Sequence, residues 1–121
     1  MEIMRSITFE AGHHLPHLPE GHKCRKMHGH TYKVDVWVEG PIVPSLCWVM
    51  DFAQLDTALS VIREKLDHQV LNEIEHLEIP TAENLAIWIY GALQTFVMPE
   101  GCKFVCIWIH EGAHGVVRFA P

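Results

Sequence analysis

Cys24-Arg25-Lys26-Met27-His28-Gly29-His30-Thr31-Tyr32-Lys33-Val34-Asp35-Val36-Trp37-Val38-Glu39 changes character at its fifth residue. From there His28, His30, Tyr32, Val34, Val36 and Val38 share one parity, Thr31, Lys33, Asp35 and Glu39 hold the other, and Trp37 is the exception. Period-two alternation of this kind predicts a strand with one buried face. The two histidines open the same face that the valines continue, so both imidazoles lie on one side, close enough to share an ion. Gly29 between them lets the backbone pass without crowding. A thiol, Cys24, stands four residues upstream.

Working outward, residues 3 to 13 also alternate, with Ile3, Ile7, Phe9, Ala11 and His13 on one parity, Arg5 breaking it, and Ser6, Thr8 and Glu10 on the other. Residues 14 to 27, with Pro16, Pro19 and Gly21, read as an ordered loop. The two strands it joins pair antiparallel. Past Gly40-Pro41, residues 41 to 50 form a loop with a short return toward Trp48-Val49-Met50. Asp51 then caps a helix of about 15 residues, with Gln54 as reciprocal partner and Phe52, Leu55, Leu59, Ile62 and Leu66 as its apolar stripe. Asp67-His68 follows directly. After an irregular stretch to Pro80, Thr81 caps a second helix with the stripe Ala82, Leu85, Ala86, Ile89, Leu93 and Phe96, closed by Pro99 and Gly101. Residues 103 to 111 alternate Val105, Ile107, Ile109 and Glu111 against Phe104, Cys106 and Trp108, and a last strand near residues 116 to 119 follows a Gly112 to Gly115 turn. The order ββααββ predicts an α+β fold, a four-stranded antiparallel sheet with two helices on one face. Open edges and a second apolar face predict closure by assembly.

The chain has 121 residues, 49% hydrophobic and 20% charged, which fits one domain over residues 1–121 with a single core. A formal charge of −6 excludes an extended nucleic-acid surface, leaving Lys23, Arg25 and Lys26 as a local cluster for a small anion. No apolar stretch reaches the roughly 20 residues of a membrane span, and the start has no secretory core; a cytoplasmic protein is expected. Four cysteines without CxxC spacing argue against a disulfide framework. Ten histidines, dispersed rather than run together, are the unusual feature.

An imidazole pair needs a third ligand from another strand, and His13 ends the apolar face of the first one. Three neutral histidines with an open position make a catalytic zinc arrangement rather than a closed structural one. His14, His17 and His22 compete for the third place. Cys24, between Lys23 and Arg25, is favoured as thiolate and can serve as base or nucleophile. In Asp67-His68 the carboxylate can fix the imidazole tautomer, giving a proton-shuttling pair. Glu111 ends an otherwise buried row, where an N–H-rich heterocycle edge would satisfy it.

These residues resemble those of the 6-pyruvoyltetrahydropterin synthase superfamily, most closely its 6-carboxy-5,6,7,8-tetrahydropterin synthase branch in queuosine biosynthesis. The matching segments are residues 9–13, Pro19-Glu20-Gly21-His22-Lys23-Cys24, His28-Gly29-His30, Met50-Asp51-Phe52, Leu66-Asp67-His68 with Leu71-Asn72, residues 80–85, and Glu111. The resemblance implies a tunnelling fold in which three chains close a barrel and two rings stack into a homohexamer, with sites between subunits. It implies Zn2+ on His13, His28 and His30, Cys24 as catalytic thiol, Asp67 and His68 as the rest of the proton-transfer set, and Glu111 as pterin anchor, with one or both of Thr81 and Glu83 also lining the pterin pocket. The substrate implied is 7,8-dihydroneopterin triphosphate, converted by a lyase reaction to 6-carboxytetrahydropterin, acetaldehyde and triphosphate. Formation of 6-pyruvoyltetrahydropterin, or silent zinc or pterin binding, are the rival readings. Gly12, His14 and the Gly112 to Gly115 turn depart from the family pattern.

Overall fold

The computed structural model describes all 121 residues. Its strands are β1 (Glu2–His13), β2 (His28–Glu39), β3 (Lys103–Glu111) and β4 (Gly115–Phe119), and its helices α1 (Phe52–Leu66) and α2 (Ala82–Leu93). The strands form one antiparallel meander in the order β1-β2-β3-β4, joined to the helices as the sequence predicts.

The expected face of β2 is the core. Tyr32, Val34, Val36 and Val38 are fully buried beneath Leu55, Leu59, Ile62 and Leu66 of α1 and Leu85, Ala86, Ile89 and Leu93 of α2. Truncating any one of these leucines to alanine would cost about 2–5 kcal/mol in lost transfer energy and cavity. Pairing of β1 with β2 runs without a bulge from Glu2↔Glu39 to His13↔His28. Arg5, the parity exception, faces α1, where it makes a fork to Asp56 at 2.8 and 2.6 Å and stacks over Phe52. Phe52 is 47% exposed rather than part of the buried stripe, and Ala58 takes a place in it.

Local expectations change at three further points. Asp51 caps α1 by accepting from the Ala53 amide at 2.9 Å, but Gln54 returns no side-chain bond. Helix α2 ends at Leu93, before Phe96, because Gln94, Thr95 and Phe96 bond back three residues in tight turns. Strand β3 carries a bulge opposite Trp37 and Val38, so Phe104 pairs with Val38 and Cys106 with Trp37. The extra residue reverses the alternation, burying Phe104 in the core and leaving Val105 half-buried. Beyond the bulge Ile107, Ile109 and Glu111 keep the parity that points Glu111 toward Tyr32, its partner in the ladder.

The outer edge of β1 is partly occupied by its own chain. The Thr8 carbonyl accepts from Arg63 Nε at 2.9 Å, the Glu10 carbonyl from the His68 amide at 2.6 Å, and the Gly12 amide donates to the Gln69 carbonyl at 2.9 Å.

Candidate metal centre and catalytic cleft

The antiparallel register places His13 directly opposite His28, with His30 two residues along the same face. Their ligand atoms all lie within 4.8 Å of one another. His13 is 1% exposed, and the Nε2 atoms of His13 and His28 face each other at 3.1 Å. The remaining ring nitrogens settle the tautomers. His13 Nδ1 lies 2.8 Å from the Pro80 carbonyl and His28 Nδ1 lies 2.7 Å from the Lys26 carbonyl. A carbonyl only accepts, so both Nδ1 atoms carry the proton and both Nε2 atoms present lone pairs. Two lone pairs at that distance repel unless a cation lies between them. His30 Nε2 is buried with no hydrogen-bond partner, and Glu111 Oε1 lies 3.7 Å from it. In a tetrahedral site with bonds near 2.0–2.1 Å the ligand nitrogens stand about 3.3 Å apart, close to the 3.1 Å between His13 and His28. The three histidines therefore fit a divalent metal, with carbonyls holding two of the rings in the outer shell.

Burial also holds the His13 imidazole below the ordinary histidine pKa, against the opposing pull of the Pro80 carbonyl and Glu111, so it is neutral as a ligand must be. Tyr32 packs edge-on against His13 and His30, and burial with nearby Glu111 keeps its phenol protonated. The competing histidines have other places. The Asn72 side chain clamps His14 by its backbone, accepting from the amide at 3.0 Å and donating to the carbonyl at 2.7 Å. His22 caps the 3-10 turn Lys23–Arg25 by accepting from the Cys24 amide at 3.1 Å, and His17 is exposed.

Around the triad lies a cleft of about 490 Å3 lined by Leu15, Lys23, Cys24 and Glu111 as well as the histidines. The thiol and the carboxylate that the sequence singles out thus meet the metal centre in one chain. The other pair does not. Asp67 ends α1 and holds His68 Nδ1 at 3.0 Å, while His68 itself stands 78% exposed in the left-handed region at φ 58°. His68 borders a separate concavity, formed with Glu10, Gly12, Gly29 and Thr31, which shares only His30 with the cleft. The Glu10 amide, against burial and assisted by His68 and Arg63, holds the Asp67 carboxyl below its usual range. Thr81 Oγ1 caps α2, accepting from the Asn84 amide at 3.2 Å, and Glu83 is exposed on its first turn; neither lines the cleft. Sequence reasoning missed Leu15 and the Pro80 and Lys26 carbonyls, and a backbone acceptor carries no sequence signal at all. A methyl on Gly12 or Gly29 would meet only ordinary contacts at 3.5 Å or more, so neither position needs glycine for space within the chain.

A meander sheet roofed by two helices on one face, with three histidines gathered at the β1–β2 end where they could hold a metal ion, defines a tunnelling-fold chain. The chain belongs to the 6-pyruvoyl tetrahydropterin synthase family, whose model matches residues 2–121. It is 38% identical to a 6-carboxy-5,6,7,8-tetrahydropterin synthase of Synechocystis over 80% of this chain and 78% of that one. A putative protein of the same name from Archaeoglobus fulgidus is 40% identical over 77% and 76%. Among solved structures, the Caenorhabditis elegans 6-pyruvoyl tetrahydropterin synthase superposes with a TM-score of 0.89 at 24% identity, covering 100% of this chain and 95% of that one, a likeness of fold.

Proposed function

We propose that this chain is a 6-carboxy-5,6,7,8-tetrahydropterin synthase, a lyase that converts 7,8-dihydroneopterin triphosphate to 6-carboxytetrahydropterin with release of acetaldehyde and triphosphate, serving queuosine biosynthesis in the cytoplasm. The observation that carries the reading is the meeting of three converging imidazoles, a thiol and a carboxylate in one cleft. The names of the Synechocystis and Archaeoglobus relatives support the choice of product.

His13, His28 and His30 would hold Zn2+, which when bound supplies Lewis acidity toward the hydroxyls of the substrate side chain. The Glu111 carboxylate accepts from the N–H edge of the pterin and so sets the ring's orientation. Cys24 Sγ, on a turn fixed by His22, takes up a proton from the pterin side chain. Asp67 keeps His68 Nδ1 protonated, leaving Nε2 free to accept and return a proton. Because that imidazole is exposed and outside its own chain's cleft, the complete proton-transfer set needs a second subunit, as in a homohexamer whose sites lie between chains. The exposed Glu83 and the capping Thr81 would reach substrate only in the same way.

The test is a product assay. Zinc-loaded protein given 7,8-dihydroneopterin triphosphate should yield triphosphate, acetaldehyde and 6-carboxytetrahydropterin by mass detection, and Cys24→Ala should abolish turnover while retaining zinc. A 6-pyruvoyl product without acetaldehyde would replace the reading with carbon-carbon bond retention, and no product at all would reduce the chain to a binding module.

A further inference from the structure

The three cations beside the cleft are not equivalent. Arg25 is engaged within its own loop: its Nη1 donates to the Pro16 carbonyl at 2.8 Å and to the Leu18 carbonyl at 2.7 Å. Leu15 donates to the Cys24 carbonyl at 2.8 Å, so the guanidinium and this bond together tie residues 15–18 to the turn that carries the thiol. Lys26 gives the metal centre its backbone carbonyl, on His28 Nδ1, but its side chain does not line the cleft. Lys23 does line it. Elsewhere Arg5, Lys33, Arg63 and Lys103 are in ion pairs with Asp56, Asp35, Asp67 and Glu39, whereas Lys23 has no carboxylate partner.

We propose that Lys23 is the binding residue for the phosphate chain of the substrate, and that Arg25 is a positioning residue that holds the Cys24 turn in place. The inference rests on the reading of the substrate as a phosphorylated pterin and adds where its anionic end lies. A molecule of formal charge −6 repels a polyphosphate at long range, so a cation at the cleft mouth is needed to reverse the local field. An ammonium on a flexible stem acts as a point charge that can follow a phosphate chain. Lys23 and Cys24 are consecutive on one 3-10 turn closed by Lys26 N–H to the Lys23 carbonyl at 3.2 Å. An anion seated on Lys23 therefore extends from the same turn that presents the thiol, with Glu111 on β3 left for the heterocycle.

Equilibrium dialysis of the zinc-loaded protein against neopterin triphosphate and against neopterin, neither of which turns over, separates the two ends of the ligand. The wild type should prefer the triphosphate form. Lys23→Ala should weaken that form about tenfold or more, the size of one charge-assisted hydrogen bond, and leave neopterin unchanged. Arg25→Gln, which keeps an amide donor for the loop carbonyls, should hold both affinities within about twofold of wild type on the same scale. The shift of kcat with pH should move in Arg25→Ala and return toward wild type in Arg25→Gln, as expected if the residue acts through the thiol. Absence of any triphosphate preference in the wild type, equal losses for both pterins in Lys23→Ala, or an equal loss in Lys26→Ala would overturn the assignment. The product assay fails or succeeds separately. Turnover with a silent Lys23→Ala sinks only the phosphate site, and Lys23-dependent binding without turnover sinks only the reaction.

Discussion

Asp35 shows how a single carboxylate is made tolerable on a face that no helix covers. Its polar parity in β2 reads as solvent-facing, yet the residue is 6% exposed. Ser6 Oγ donates to it at 2.5 Å, His110 Nε2 lies at 2.8 Å and Lys33 Nζ at 3.6 Å. Burial alone would raise its pKa, and the bonds from Ser6 and His110, helped by Lys33, overcome that and hold it below the usual carboxylate range. A folded-state value below the unfolded one of about 3.9 means the stabilisation is present above that pH and is lost as pH falls through the lower, folded value. Asp35→Asn should accordingly denature at lower urea than wild type at pH 7, with the gap closing below about pH 4. A gap of constant size down to pH 3 would show that the charge is not its source.

At the scale of elements, alternation and helical stripes were enough to place all four strands and both helices, because each buries one face against a common core. The same reasoning brought His13, His28 and His30 together, since all three obey strand parity and differ from their valine and alanine neighbours only in chemistry. It could not find the β3 bulge, which carries no local sequence signal and leaves Phe104 in the core. Nor could it see that Arg5 would cover Phe52, a pairing of residues far apart in sequence. Thr81 was legible twice, as a cap and through the family resemblance as a substrate residue, and the two roles are separable. Thr81→Ala should lose about 1 kcal/mol in urea unfolding and Thr81→Ser very little, because the hydroxyl satisfies the Asn84 amide. Should Glu83→Ala, which removes no bond in this chain, cost as much, capping would not be the explanation.

For the whole molecule the open question of shape is where another chain can add. Both terminal strands of the meander, β1 and β4, have an unpaired side, and the second apolar face holds Trp37, Cys106 and Trp108 partly or wholly buried without a helix over them. The assembly proposed above would cover these edges, and it would also bring Asp67-His68 of one chain to Cys24 of another. The occupied stretch of the β1 edge then acts as a built-in ruler. In an antiparallel ladder alternate residues turn both backbone groups outward. Both at Glu10 and the amide at Gly12 are already spent on residues 67–69, and the Thr8 carbonyl on Arg63. An incoming strand can zip along Met4 and Ser6 but meets a stop before it reaches the histidines. Hydrogen exchange should find the Glu10 and Gly12 amides protected at every protein concentration, and the Met4 and Ser6 amides protected only once chains associate. Protection of all four together would remove the stop. With it in place, the alignment of one subunit on the next in the proposed assembly would be measured out by the fold of a single chain, and the distance from one histidine triad to its neighbour's His68 would be fixed before the two ever meet.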